Sequence, residues 1–165
     1  MDGKEKTKMT NDELLDRFRK INAIHEAGHA VASLAFGSTV HYACVDNADP
    51  LGERGSFGHV ARSPQSIIEN DLTVCLAGVG AEIVERQDGS TWSGLFHGAG
   101  SGDWKNAQWL LREKSAVERR KIIKQCKARS FDILHANWSA VLRTADALLA
   151  TGYVESDKLQ SLFQG

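Results

Sequence analysis

The sequence predicts a mainly α domain with a small β-hairpin or sheet. Apolar residues recur at helical spacing from Thr10 to Phe36, from Ser63 to Ile83 and from Trp104 to Leu149. Two short runs, residues 39–45 and 57–61, are instead rich in β-branched and aromatic side chains. With 165 residues, 42% hydrophobic and 25% charged, the chain can bury a core without disulfides or other staples.

Residues 1–9 are polar and expected to be disordered, which leaves 10–165 as a single domain. Thr10-Asn11-Asp12-Glu13 has the form of a capping box, so the first helix starts there and runs towards Phe36, with Lys20 the point at which a break would fall. Gly37 suits the position just past its end. A strand over 39–45 and a second over 57–61, separated by a loop containing Asp49-Pro50, Gly52 and Gly55, make a hairpin-like pair.

Ser63-Pro64 reads as an N-cap followed by proline at the first helical position. The helix it opens has Ile68, Leu72, Cys75, Leu76, Val79 and Ile83 on one side. Its small residues, Ala77-Gly78-Val79-Gly80-Ala81, imply close packing, with the first helix as the neighbour. Residues 87–102 contain five glycines beside Trp92, Phe96 and His97, the pattern of a long mobile loop. Asp103 then stands where a third helix begins. Helical signals continue through Leu110, Ile122, Leu134, Trp138, Val141, Ala145 and Leu148 to Gly152, and residues 155–163 form one more short helix.

A net charge of −1 provides no global field for nucleic acid or an anionic membrane. The three cysteines, Cys44, Cys75 and Cys126, are odd in number and widely spaced, which fits core residues in a reducing compartment. The first twenty residues lack the apolar core of a secretory signal, and no stretch approaches 18 uninterrupted apolar residues. A cytoplasmic protein is therefore expected. No Gly-x-x-x-x-Gly-Lys-Ser/Thr loop occurs, which removes nucleotide hydrolysis by that route.

The chemistry is concentrated in His25-Glu26-Ala27-Gly28-His29. On a helix, residues four apart place their side chains about 5–6 Å from one another, so both imidazoles can reach one tetrahedral metal with Glu26 beside them as general base. This is the zincin signature, and it makes the expected fold a zincin-like helical metalloprotease domain. Gly28 costs a helix about 1 kcal/mol relative to alanine, so another segment or a substrate backbone must come close there. Catalytic zinc takes three protein ligands, and the third could come from Glu82, Glu85, Asp88, His97, Asp103, His41 or His59. Glu82 lies in an apolar helix, where an unpaired carboxylate is costly, but it also reads as an exposed helical glutamate. Asp103 reads equally as a first-turn acid that complements the helix dipole. Spacing alone leaves the two in contention.

Four motifs together resemble the peptidase domain of FtsH-type zinc metalloproteases. They are His25-Glu26-Ala27-Gly28-His29-Ala30-Val31, Leu76-Ala77-Gly78-Val79-Gly80-Ala81-Glu82, Gly100-Ser101-Gly102-Asp103-Trp104-Lys105-Asn106-Ala107, and Ile133-Leu134-His135-Ala136-Asn137-Trp138 continuing to Leu148-Leu149. The resemblance implies that His25, His29 and Asp103 bind Zn2+, that Glu26 is the base, and that Glu82 supports the ligands from behind. Gly102 stands where that family commonly has Asn, and Val79 where Arg is common. The family also joins this domain to a membrane anchor and an ATPase ring, neither of which is in this sequence.

The implied function is a zinc-dependent endopeptidase acting on unfolded or small protein substrates, with the strand from Phe57 pairing with the extended peptide. The alternatives are a non-proteolytic zinc-containing module that binds peptides or adapts a partner, and a peptidase subunit that needs a separate ATPase; a homo-oligomer is compatible with either. Intact Glu26 argues against a pure binder. His97 reads as a solvent histidine, and His41, His59 and His135 as structural. The eight basic residues among 112–129 read as a solvated helix face.

Overall fold

The computed structural model describes residues 10–45, 58–96 and 100–165. It is mainly helical with one three-stranded antiparallel sheet. The segment 1–9, Phe57, His97 and the loop of Asp49-Pro50, Gly52 and Gly55 lie outside the described residues.

Helix α1, Asn11–Ala35, begins at the capping box: Thr10 Oγ1 accepts from the Glu13 amide at 3.2 Å, and Glu13 Oε2 accepts from the Thr10 amide at 2.7 Å. It runs unbroken past Lys20, where Lys20 Nζ pairs with Glu85 Oε1 at 2.6 Å. Residues 11–20 are exposed and 21–33 buried. Gly37, at φ 71°, turns the chain into β1, Val40–Val45.

Strand β1 is central, pairing with β2 (Gly58–Arg62) on one side and β3 (Tyr153–Glu155) on the other. Val45 faces Gly58, Cys44 faces His59 and Ala43 faces Val60. The expected hairpin pair is therefore present, and β3 is an addition to it.

Helix α2, Ile68–Arg86, starts later than Ser63-Pro64 predicts. Ser63 instead extends the sheet, its amide donating to Thr39 O at 2.9 Å. The Asp71 carboxylate takes the Gln65 amide at 2.9 Å and the Arg62 guanidinium at 2.6 Å, and these bonds hold the approach to the helix. The glycine-rich stretch 87–102 is not one loop, because it contains α3, Trp92–Phe96, and the start of α4, Ser101–Leu110. The remaining helical region divides into α5, Ala116–Ala136, and α6, Trp138–Thr151, and α7, Ser156–Gln164, follows β3. Ser115 and Glu118 form a second capping box at the start of α5, and Gly152, at φ 71°, ends α6.

The buried half of α1 passes through the centre of the molecule. One side of it, with Ala23, Ile24, Ala27 and Val31, packs with Val40, Leu134, Val141, Leu148 and Leu159. Burying each such leucine contributes about 1.5–3 kcal/mol. Leu72, Leu76 and Val79 of α2 form a second cluster with Leu111 and Cys126. Between α1 and α2 the seam is made of small residues. A Cβ on Gly28 would stand 2.7 Å from both Ala77 O and the Ala81 Cβ, so the two backbones touch there. This close approach brings the histidine face of α1 against α2.

Candidate metal centre

Four residues apart on α1, His25 and His29 point towards the same place, and their Nε2 atoms are 3.0 Å apart. Asp103, in the first turn of α4, brings its Oδ2 to 2.9 Å from His25 Nε2 and 3.3 Å from His29 Nε2. In tetrahedral coordination with bonds of about 2.0–2.1 Å, ligand atoms lie about 3.3 Å from one another. The triangle thus has nearly the size one ion requires. Among the described residues, these three form the group of His, Cys, Asp and Glu side chains able to hold a metal.

The outer nitrogens explain the tautomers. His25 Nδ1 lies 2.7 Å from Glu82 Oε1, and His29 Nδ1 lies 2.7 Å from the carbonyl of Val74. Both partners are acceptors, so both Nδ1 atoms carry a proton, and in the neutral imidazoles both Nε2 lone pairs face inward. Asp103 adds a third acceptor, and three acceptors at this separation repel one another unless a proton or a metal cation lies among them. Glu82 is almost fully buried, and its other oxygen takes Arg86 Nη2 at 3.2 Å, which balances the carboxylate from behind.

Gly78 leaves room beside the two imidazoles. A Cβ there would stand 2.6 Å from His25 Nε2 and closer still to His29 Nε2. The donor set of two imidazoles and one carboxylate is the type that suits zinc.

The electrostatics agree with a cationic centre. Burial lowers the His25 pKa, but hydrogen bonds to Asp103 and Glu82 and the fields of Asp103 and Glu26 outweigh it and raise the value well above normal. Burial acts on Asp103 in the opposite sense, yet the field of His29 and bonds from both histidines hold its pKa well below the usual carboxylate range. Glu26 is also buried, and desolvation raises its pKa despite the opposing fields of His25 and His29. Next to it is β2, where a Cβ on Gly58 would fall 2.5 Å from Glu26 Cγ.

The structure thus brings His25, Glu26, His29, Glu82 and Asp103 together. Of the other candidate ligands, Glu85 pairs with Lys20, Asp88 takes the amide of Ser90 at 2.9 Å, and His41 is exposed with Nε2 3.5 Å from Ser63 Oγ. His59 lies on β2 beside Tyr42, close enough for its charge to act on Glu26. His135 is exposed and stacks on Phe131. Three contributors were not singled out by sequence: Gly58, Gly78 and the Val74 carbonyl. For Gly78 the signal was its place in a run of small residues, but for Gly58 and Val74 no local signal exists. No protein-family model matches the chain, and no curated protein matches it.

Proposed function

We propose that the protein is a zinc endopeptidase that hydrolyses peptide bonds of unfolded or small protein substrates. The observation that carries this reading is the convergence of His25 Nε2, His29 Nε2 and Asp103 Oδ2 at the spacing of metal ligands, with the buried carboxylate of Glu26 alongside. The four sequence motifs similar to FtsH-type peptidase domains support it.

His25, His29 and Asp103 hold the ion, and Glu82 and the Val74 carbonyl keep both imidazoles in the ligating tautomer. Zinc, when bound, supplies a Lewis acid that acidifies water and polarises the scissile carbonyl. Glu26 takes the proton of the attacking water and passes it to the leaving amine. Its burial raises the carboxylate pKa above its ordinary value. Strand β2 lies at the edge of the sheet and reaches Glu26 through Gly58. An extended peptide bound along that edge by main-chain hydrogen bonds is held with little sequence selectivity.

The test is zinc analysis with casein cleavage by the wild type and Glu26→Gln. The variant should keep one zinc and lose cleavage. Cleavage retained by the variant, or zinc absent from the wild type, overturns the proposal.

A further inference from the structure

Asn22 is one turn before Glu26 in the buried half of α1, is only 5% exposed, and its Nδ2 is buried with no hydrogen-bond partner among the described residues. Buried polar groups are nearly always paired, so an amide left open next to a reactive centre requires an explanation. Its position on the helix provides one. At about 100° per residue, Asn22 projects between the directions of His29 and Glu26, on the face of α1 that forms the metal centre and away from the apolar side of Ala23, Ala27 and Val31. Residues four apart on a helix are direct neighbours, and an amide with a carboxylate at that spacing is a favourable pair. Glu26 in turn packs against Gly58, and this placement does not use the Asn22 donor.

We propose that Asn22 is a positioning residue for Glu26, its Nδ2–H donating to the carboxylate when Glu26 leaves Gly58 to take up its working rotamer. This rests on the reading of Glu26 as the base. Glu26 then has two seats, one against the β2 backbone and one on the Asn22 amide, and the second fixes the carboxylate while it handles the proton. A donor to an ionised group is worth more than a neutral pair, so its loss should be visible in turnover.

The test uses the full chain loaded with zinc. Asn22→Leu keeps the shape and removes the donor. The expected result is kcat on casein lower by about tenfold or more, with KM and zinc content unchanged and thermal stability equal or higher, because an unmatched polar group has been removed. A purely structural asparagine would instead lower the melting temperature and leave kcat per folded molecule unchanged, which overturns the proposal. A second readout does not need activity. The Asn22 side-chain amide resonances, identified by their loss in Asn22→Leu, should shift on Glu26→Ala in the zinc-loaded protein; no shift overturns the proposal. If the wild type holds zinc and shows the shift but does not cleave casein, the peptidase reading fails and the Asn22–Glu26 pair stands.

Discussion

Gly58 backs directly onto Glu26: a Cβ at this first residue of β2 would lie 2.5 Å from Glu26 Cγ and 2.7 Å from its Cδ. A strand and the proposed base thus share one contact, and the sheet edge cannot be altered there without moving the Glu26 carboxylate. Gly58→Ala should lower casein kcat/KM by about a hundredfold, the scale of a displacement near 1 Å, with zinc content unchanged. Kinetics combined with metal analysis check this, and loss of zinc would show that the contact does more than place Glu26.

Gly78→Ala should act on the ion itself. The new methyl would lie among the two Nε2 atoms, so zinc stoichiometry should fall from one towards zero while circular dichroism keeps the helical signal. One zinc retained with wild-type affinity would mean that the ion lies elsewhere.

Asp103→Ala and Glu82→Gln should separate a ligand from its support. Removing Asp103 deletes one of the three proposed ligand atoms and should abolish stoichiometric binding. Glu82→Gln keeps an acceptor for His25 Nδ1 but removes its charge, so zinc affinity should fall by about 10–100-fold and binding should persist. Competition with a chromogenic chelator measures both. The reverse order would exchange their roles.

Cys75 provides a pH prediction for the metal-free protein. Burial first, and the Asp103 carboxylate second, push its thiol up to about 11. The folded state therefore favours the protonated thiol. The resulting stabilisation is complete below the unfolded pKa of about 8.5–9 and is lost as pH rises towards 11. At pH 8 iodoacetamide should alkylate Cys75 far more slowly than a free thiol, with the rate climbing above pH 9. Mass spectrometry of a pH series measures it, and rapid labelling at pH 8 would contradict the burial argument.

The parts of this architecture that sequence revealed are those written in local chemistry. Thr10 and Glu13 announce the start of α1 because both halves of the capping box lie within one turn, and the spacing of His25 and His29 places both rings on one face whatever surrounds them. The expected start of α2 at Pro64 failed because Asp71 and the sheet compete for residues 62–65, a contest decided by bonds across space. Strand β3 had no local signal either, since Tyr153–Glu155 is a strand only by pairing with β1, more than a hundred residues earlier. The third corner of the triangle was equally hidden. Asp103 and Glu82 are similar as sequence, and only folding separates them, with one carboxylate at Nε2 and the other at Nδ1 of the same imidazole.

Helix α1 changes character at one residue, exposed up to Lys20 and buried from Ile21. The outer ten residues, about 15 Å of helix, include the exposed Leu14, Leu15 and Phe18 and are shorter than a stretch that holds helical form alone in water. The buried turns act as a template, the Lys20–Glu85 pair ties the inner end to α2, and the capping box closes the far end. This arm can therefore fray and re-form while the histidine-bearing turns stay wound, and its amides should exchange with solvent long before those beyond Ile21. A single helix thus joins a solvent-exposed arm to a buried shaft that carries the histidines.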